Sequence, residues 1–125
     1  MHGGFQGPLI KLRQPQHGRE FNDLLLESID ETLTILLSRE VVDALYGYLQ
    51  KAHSISRDQI PTRLDTLSSI LARTFGLPSS ATISKAIARK FYSKLALTFS
   101  DNPGGSLLGY VERAKMMLQE REGSL

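Results

Sequence analysis

From Phe21 onward, apolar residues recur at spacings of three and four in five successive runs, and each run is closed by a polar break, a glycine or a proline. A period near 3.6 residues gathers such positions into one stripe of a helix, whereas a half-buried strand would need strict alternation. The first run is Phe21, Leu25, Ile29, Leu33 and Leu36, with Asp23, Glu27, Asp30 and Glu31 on the opposite side. Ser38 then offers an N-cap, and Glu40 sits in the first turn, where the helix dipole favours an anion. Val41, Val42, Leu45, Tyr48, Leu49 and Ala52 form the second stripe. Gly47 interrupts it at a cost of about 1 kcal/mol relative to Ala, which predicts a backbone passing close by.

Residues 54–60 read as a connector, and Pro61 suits the first turn of a third helix, where a missing N–H has no partner to lose. Leu64, Leu67, Leu71 and Phe75 make its stripe; Gly76 is placed for a left-handed cap, and Pro78 is expected to stop the helix. A fourth helix is predicted from Ser80 to Phe99, with Ile87, Phe91, Leu95 and Phe99 inward and Ala88 and Tyr92 at the margin. The run from Asp101 to Gly105 is turn chemistry. Ser106 caps a last helix bearing Leu107, Val111, Ala114, Met117 and Leu118, with Gly123 at its exit. The expected architecture is all-α, a compact bundle of about five helices in one domain over 21–122. Leu33, Leu45, Leu49, Leu64, Leu71, Phe75, Phe91, Leu95 and Val111 are its expected core.

Residues 1–20 hold four of the ten glycines, two of the five prolines and two of the three histidines, a composition that favours a flexible arm. Within the arm, the stretch from Pro8 to Arg13 alternates apolar and basic residues. It is either a plain tail or an arm that docks on a neighbouring copy through Leu9, Ile10 and Leu12.

Chemistry has little to stand on. The chain has no cysteine, which excludes a thiolate nucleophile, a thiolate metal site and a disulfide framework, and it fits a reducing cytoplasm. No apolar run reaches the roughly 18 to 20 residues of a membrane span, and no signal-peptide core is evident. No phosphate-binding loop, nucleophile elbow or metal-spaced histidine cluster occurs, so no enzyme, cofactor or small-molecule substrate is expected. His53 reads as a capping or solvent-edge histidine, and the acidic quartet of the first helix reads as solvated surface.

Charge segregation is the sharper signal. Residues 80–100 carry Lys85, Arg89, Lys90 and Lys94 and no acid, while the first helix carries four acids and no base before Arg39. The two helices pack side by side with paired rims, or the basic face recruits an acidic protein or a second copy, or it lies on phosphates. For a protein partner, Lys85, Arg89, Lys90 and Lys94 would supply the charge and Tyr92 the aromatic anchor. For DNA, residues 64–97 resemble a helix-turn-helix, with Thr82, Ser84, Lys85 and Arg89 at a groove. Counted from Gly76, however, the Thr82 to Lys85 run starts one residue later than that motif allows. The net charge of +2 is also a weak footprint for nucleic acid.

Several short motifs carry a resemblance between Phe21 and Val111. They are Ile29-Asp30-Glu31-x-Leu33, Val42-x-x-Ala44-Leu45-Tyr46-x-x-Leu49, Ile60-Pro61, Leu71-x-x-x-Phe75-Gly76, Phe91-Tyr92-x-Lys94-Leu95 and Gly109-Tyr110-Val111. Together they resemble a family of small archaeal all-helical proteins that includes the output domain of ammonia-oxidising archaea. The resemblance implies a helical fold and a regulatory or signalling role without a chemistry of its own. The chain departs from such relatives at Ser38-Arg39-Glu40, where a glycine is usual. The leading expectation is a non-enzymatic regulatory module binding a protein or itself through the basic helix face; the alternative is a DNA-binding regulator.

Overall fold

The computed structural model describes residues 19–102 and 105–123. The arm expected over residues 1–20 therefore lies, up to residue 18, outside the described residues. Among them the structure is all-α: α1 (Arg19–Leu37), α2 (Arg39–His53), a 3-10 helix (Arg57–Thr62), α3 (Leu64–Phe75), α4 (Leu77–Lys94) and α5 (Leu107–Gly123). None of the described helices is long and apolar enough to cross a membrane.

Ser38 alone separates α1 from α2. Its positive φ of 114° redirects the chain, and its hydroxyl accepts the Val41 N–H at 3.3 Å, as the capping preference of serine predicts. At the far end Ser54 takes the left-handed conformation usually given to glycine. The Ile55 N–H reaches back to the Leu49 carbonyl, and Ile55 is buried, so an apolar contact closes the helix end. The connector that follows is helical: Gln59 accepts the Ser56 N–H at 2.9 Å and starts the 3-10 turn. Pro61 is buried inside that turn rather than opening α3.

The junction of α3 and α4 differs most from expectation. Gly76 is the whole connection: its N–H donates to the Ala72 carbonyl at 2.8 Å, and its carbonyl accepts the Ser80 N–H at 2.9 Å. Its φ of 91° and ψ of 159° fall outside the left-handed helical well, in a region open essentially to glycine. Pro78 does not stop a helix. It sits in the first turn of α4, where no N–H is needed, so α4 begins three residues before Ser80. It also ends early, at Lys94. Ala96 takes a positive φ of 59°, and the Leu97 N–H returns to the Tyr92 carbonyl at 2.9 Å. The Arg121 guanidinium, arriving from α5, donates to the carbonyls of Leu95 at 3.4 Å and Ala96 at 3.1 Å, satisfying groups the helix end leaves open.

Helix α4 is the centre of the bundle, packed on α1, α3 and α5, while α1 also carries α2 and the 3-10 turn. Ile87, Ala88, Phe91 and Tyr92 are buried there, and the Phe21 ring meets Phe91 edge-on at 5.0 Å. Of the expected core, Leu33, Leu49, Leu64, Leu71, Phe91, Leu95 and Val111 are buried, whereas Leu45 and Phe75 are only partly covered. Gly47 is exposed: among the described residues, a side-chain methyl at this position would meet no atom within 4 Å outside its own helix backbone, so none of their backbone packs against it. Leu36, assigned to the α1 stripe, is exposed.

Candidate interaction surfaces

The acid-free side of α4 meets the acidic side of α1 within one molecule. Lys94 lies 3.3 Å from both Glu27 and Glu31, and Lys90 lies 3.7 Å from Glu31. Burial alone would disfavour the Lys94 ammonium, but the hydrogen bonds and charges of the two glutamates outweigh it and hold its pKa above the usual lysine value. Lys85 bonds Asp101 at 3.1 Å and holds that carboxyl below the usual aspartate value. Arg89 is exposed and spreads over the Phe99 ring, 5.6 Å from its centroid. The segregated charges thus zip two antiparallel helices together, and three of the four bases already have carboxylate partners. Asp30, the third acid of the α1 set, accepts the Tyr46 hydroxyl at 3.2 Å and faces Arg39 and Arg57 at 3.6 and 3.5 Å. Burial, then the charge of Asp30, pushes the Tyr46 phenol well above its ordinary pKa.

Two expected contact residues need correcting. Tyr92 is not at a margin: it is 1% exposed, and its hydroxyl donates to the Tyr110 carbonyl at 2.7 Å, so it has no surface to offer a partner. Ser84 is 5% exposed and set beside α3 and the start of α5, so its hydroxyl offers little surface. Thr82 is exposed, with its hydroxyl donating to the Pro78 carbonyl at 3.1 Å. The junction with α3 is also shorter, not longer, than the turn of three to four residues that the helix-turn-helix motif uses. His53 lies exposed in the last turn of α2, its ring edge-on to Tyr48 at 5.7 Å. Among the described residues, no group of three or more acidic, histidine or cysteine side chains is placed to hold a metal ion.

The open apolar surface lies elsewhere. Helix α2 packs on α1 but stands apart from α3, leaving between them a groove of about 280 Å³. Val41, Ala44, Leu45 and Tyr48 form one wall, and Ile70, Arg73, Thr74 and Phe75 form the other. Val41 is 40% exposed and Tyr48 46%, and the two lie on one wall of the same groove. Phe75 also lines a second cleft, with Leu36, Leu37 and Pro78, so the apolar surface continues past the α3–α4 junction. Arg73 is exposed and, among the described residues, is the only charged side chain in the groove lining and has no carboxylate partner.

Sequence reasoning missed this groove, although a signal for it was present. At 100° per residue, Val42 and Leu49 point about 90° away from Val41, Tyr48 and Ala52. The stripe is too wide for one neighbour, and α1 takes only the Val42 and Leu49 side. No family model matches the chain, and no curated protein or solved structure shows significant similarity to it.

Proposed function

We propose that this chain is a non-enzymatic regulatory interaction module that receives an amphipathic helix of a protein partner in the α2–α3 groove. The observation that carries this is the partly exposed apolar lining, Val41, Leu45, Tyr48 and Phe75, gathered into one groove between two helices. Apolar area left in water costs about 25 cal/mol per Å², and a ligand helix with anchors at spacings of three and four recovers it. Arg73 on the wall calls for a carboxylate in that helix, since a guanidinium binds carboxylate with two parallel hydrogen bonds. The regulatory role implied by the resemblance to the archaeal output-domain family agrees with a module that binds rather than reacts.

The basic face of α4 supports recognition less well, because Lys85, Lys90 and Lys94 serve the fold first. The DNA-binding alternative loses more, with Ser84 buried and Lys85 engaged by Asp101. The test is a methyl and amide NMR titration with a synthetic amphipathic helical peptide carrying leucines and a central glutamate. Shifts should concentrate at Val41, Leu45, Tyr48, Arg73 and Phe75, and Tyr48→Ala should weaken binding about tenfold, which is about 1.4 kcal/mol. Peptide binding with no perturbation along the groove, or no binding at all, would sink the proposal.

A further inference from the structure

We infer that the helix received by the groove is α5 of a second copy of this chain. This rests on the groove being a helix receptor. Helix α5 buries Leu107, Tyr110, Val111, Ala114 and Leu118 against α3 and α4, yet its outer side is not purely polar. Leu108 is 42% exposed and Met116 59% exposed, and none of the described residues closes over either. Glu112 lies midway between them, exposed and, among the described residues, without an ion-pair partner. Positions 108, 112 and 116 advance about 40° per step, so the three side chains share one face.

Dimensions and charge both match. Leu108 and Met116 are eight residues apart, about 12 Å along the helix, and Val41 and Tyr48 are seven apart, about 10.5 Å along the groove wall. Ala44, small and exposed between those two, leaves room where the middle of the ridge must approach. With its anchors seated at the ends, the ridge brings Glu112 to the middle of the groove, beside the opposite wall that carries Arg73. Each unpartnered charge thus finds its complement in the other copy.

Ridge and groove share no residue, so one copy can offer its α5 to one neighbour while accepting α5 from another. Reciprocal exchange between two copies closes a two-fold dimer, and a one-way contact builds a ring or an open chain. One helix in one groove is a small interface, below the usual standard-size class, so association belongs in the micromolar range or weaker.

Sedimentation velocity and light scattering on the full chain, over about two decades of concentration, test this. The mass should rise with concentration. Arg73→Glu and Glu112→Arg should each weaken association about tenfold or more with circular dichroism unchanged, and Met116→Asp should do the same. The double variant Arg73→Glu/Glu112→Arg should recover association, as should an equimolar mixture of the two single variants. A chain that stays monomeric while its groove still binds the synthetic peptide overturns the second-copy assignment and leaves the groove reading standing; failure of both overturns both. Association that survives in both single variants places the contact on another surface and also overturns it.

Discussion

The hydroxyl of Tyr92 donates to the backbone carbonyl of Tyr110 at 2.7 Å, a buried bond that ties α4 to α5 across eighteen positions of sequence. The Phe99 ring is wedged against both residues, edge-on to Tyr92 at 5.3 Å and tilted on Tyr110 at 5.2 Å. Tyr92→Phe keeps the ring packing and removes the bond. It should lower unfolding free energy by about 1 kcal/mol, measured by urea denaturation with an unchanged slope. A change within error would mean that this bond contributes nothing net.

The glycines in α2 and at the α3–α4 junction should respond oppositely to the same substitution. At Gly47 a methyl meets nothing within 4 Å and the backbone is helical, so Gly47→Ala should stabilise by about 0.5 to 1 kcal/mol. Gly76 has a φ of +91°, which a side chain adopts only with strain, so Gly76→Ala should destabilise by about 1 to 3 kcal/mol. Thermal melts of the two variants should move in opposite directions.

Lys94 between Glu27 and Glu31 makes the charge zipper a question of salt. The pairs sit at the rim, where exposed ion pairs contribute up to about 1 kcal/mol. Lys94→Ala should therefore cost no more than that at low ionic strength. The loss should shrink in about 1 M salt, where the screening length falls to roughly 3 Å. A loss independent of salt would assign the effect to the packing of the lysine stem instead.

Asp101 gives a pH prediction. Its carboxyl is held below the usual value, first by the Lys85 hydrogen bond and then by the Lys85 charge, and the Tyr110 hydroxyl lies 3.4 Å from its other oxygen. A depressed folded-state pKa contributes stability above the ordinary aspartate value of 3.8, and this is lost as pH falls through the folded value. Asp101→Asn should flatten the fall in stability below about pH 4, while its stability at neutral pH should sit below that of the parent. Parallel curves for the two proteins would remove Asp101 from the acid response.

The helices themselves were legible from local pattern: the stripes, the Ser38 and Ser106 caps and the Gly76 break all act within a turn or two of chain. The α4 boundaries were less so. Pro78, expected as a stop, instead follows the single-residue junction at Gly76 and falls in the first turn of α4. Where the charges go is beyond any local pattern. Lys94 and Glu27 stand 67 residues apart, and their pairing depends on the antiparallel register of α1 on α4. The periodicity of Tyr92 places it on the edge of a face, yet its depth is decided by α5 and Phe99 closing over it. The groove follows the same logic. The apolar width of α2 was written in the sequence, but that α1 covers only half of it, leaving Val41 and Tyr48 open beside Phe75, was decided by tertiary packing. A helical period specifies which side chains share a face, because that is local geometry; what covers the face depends on contacts between residues far apart in the chain.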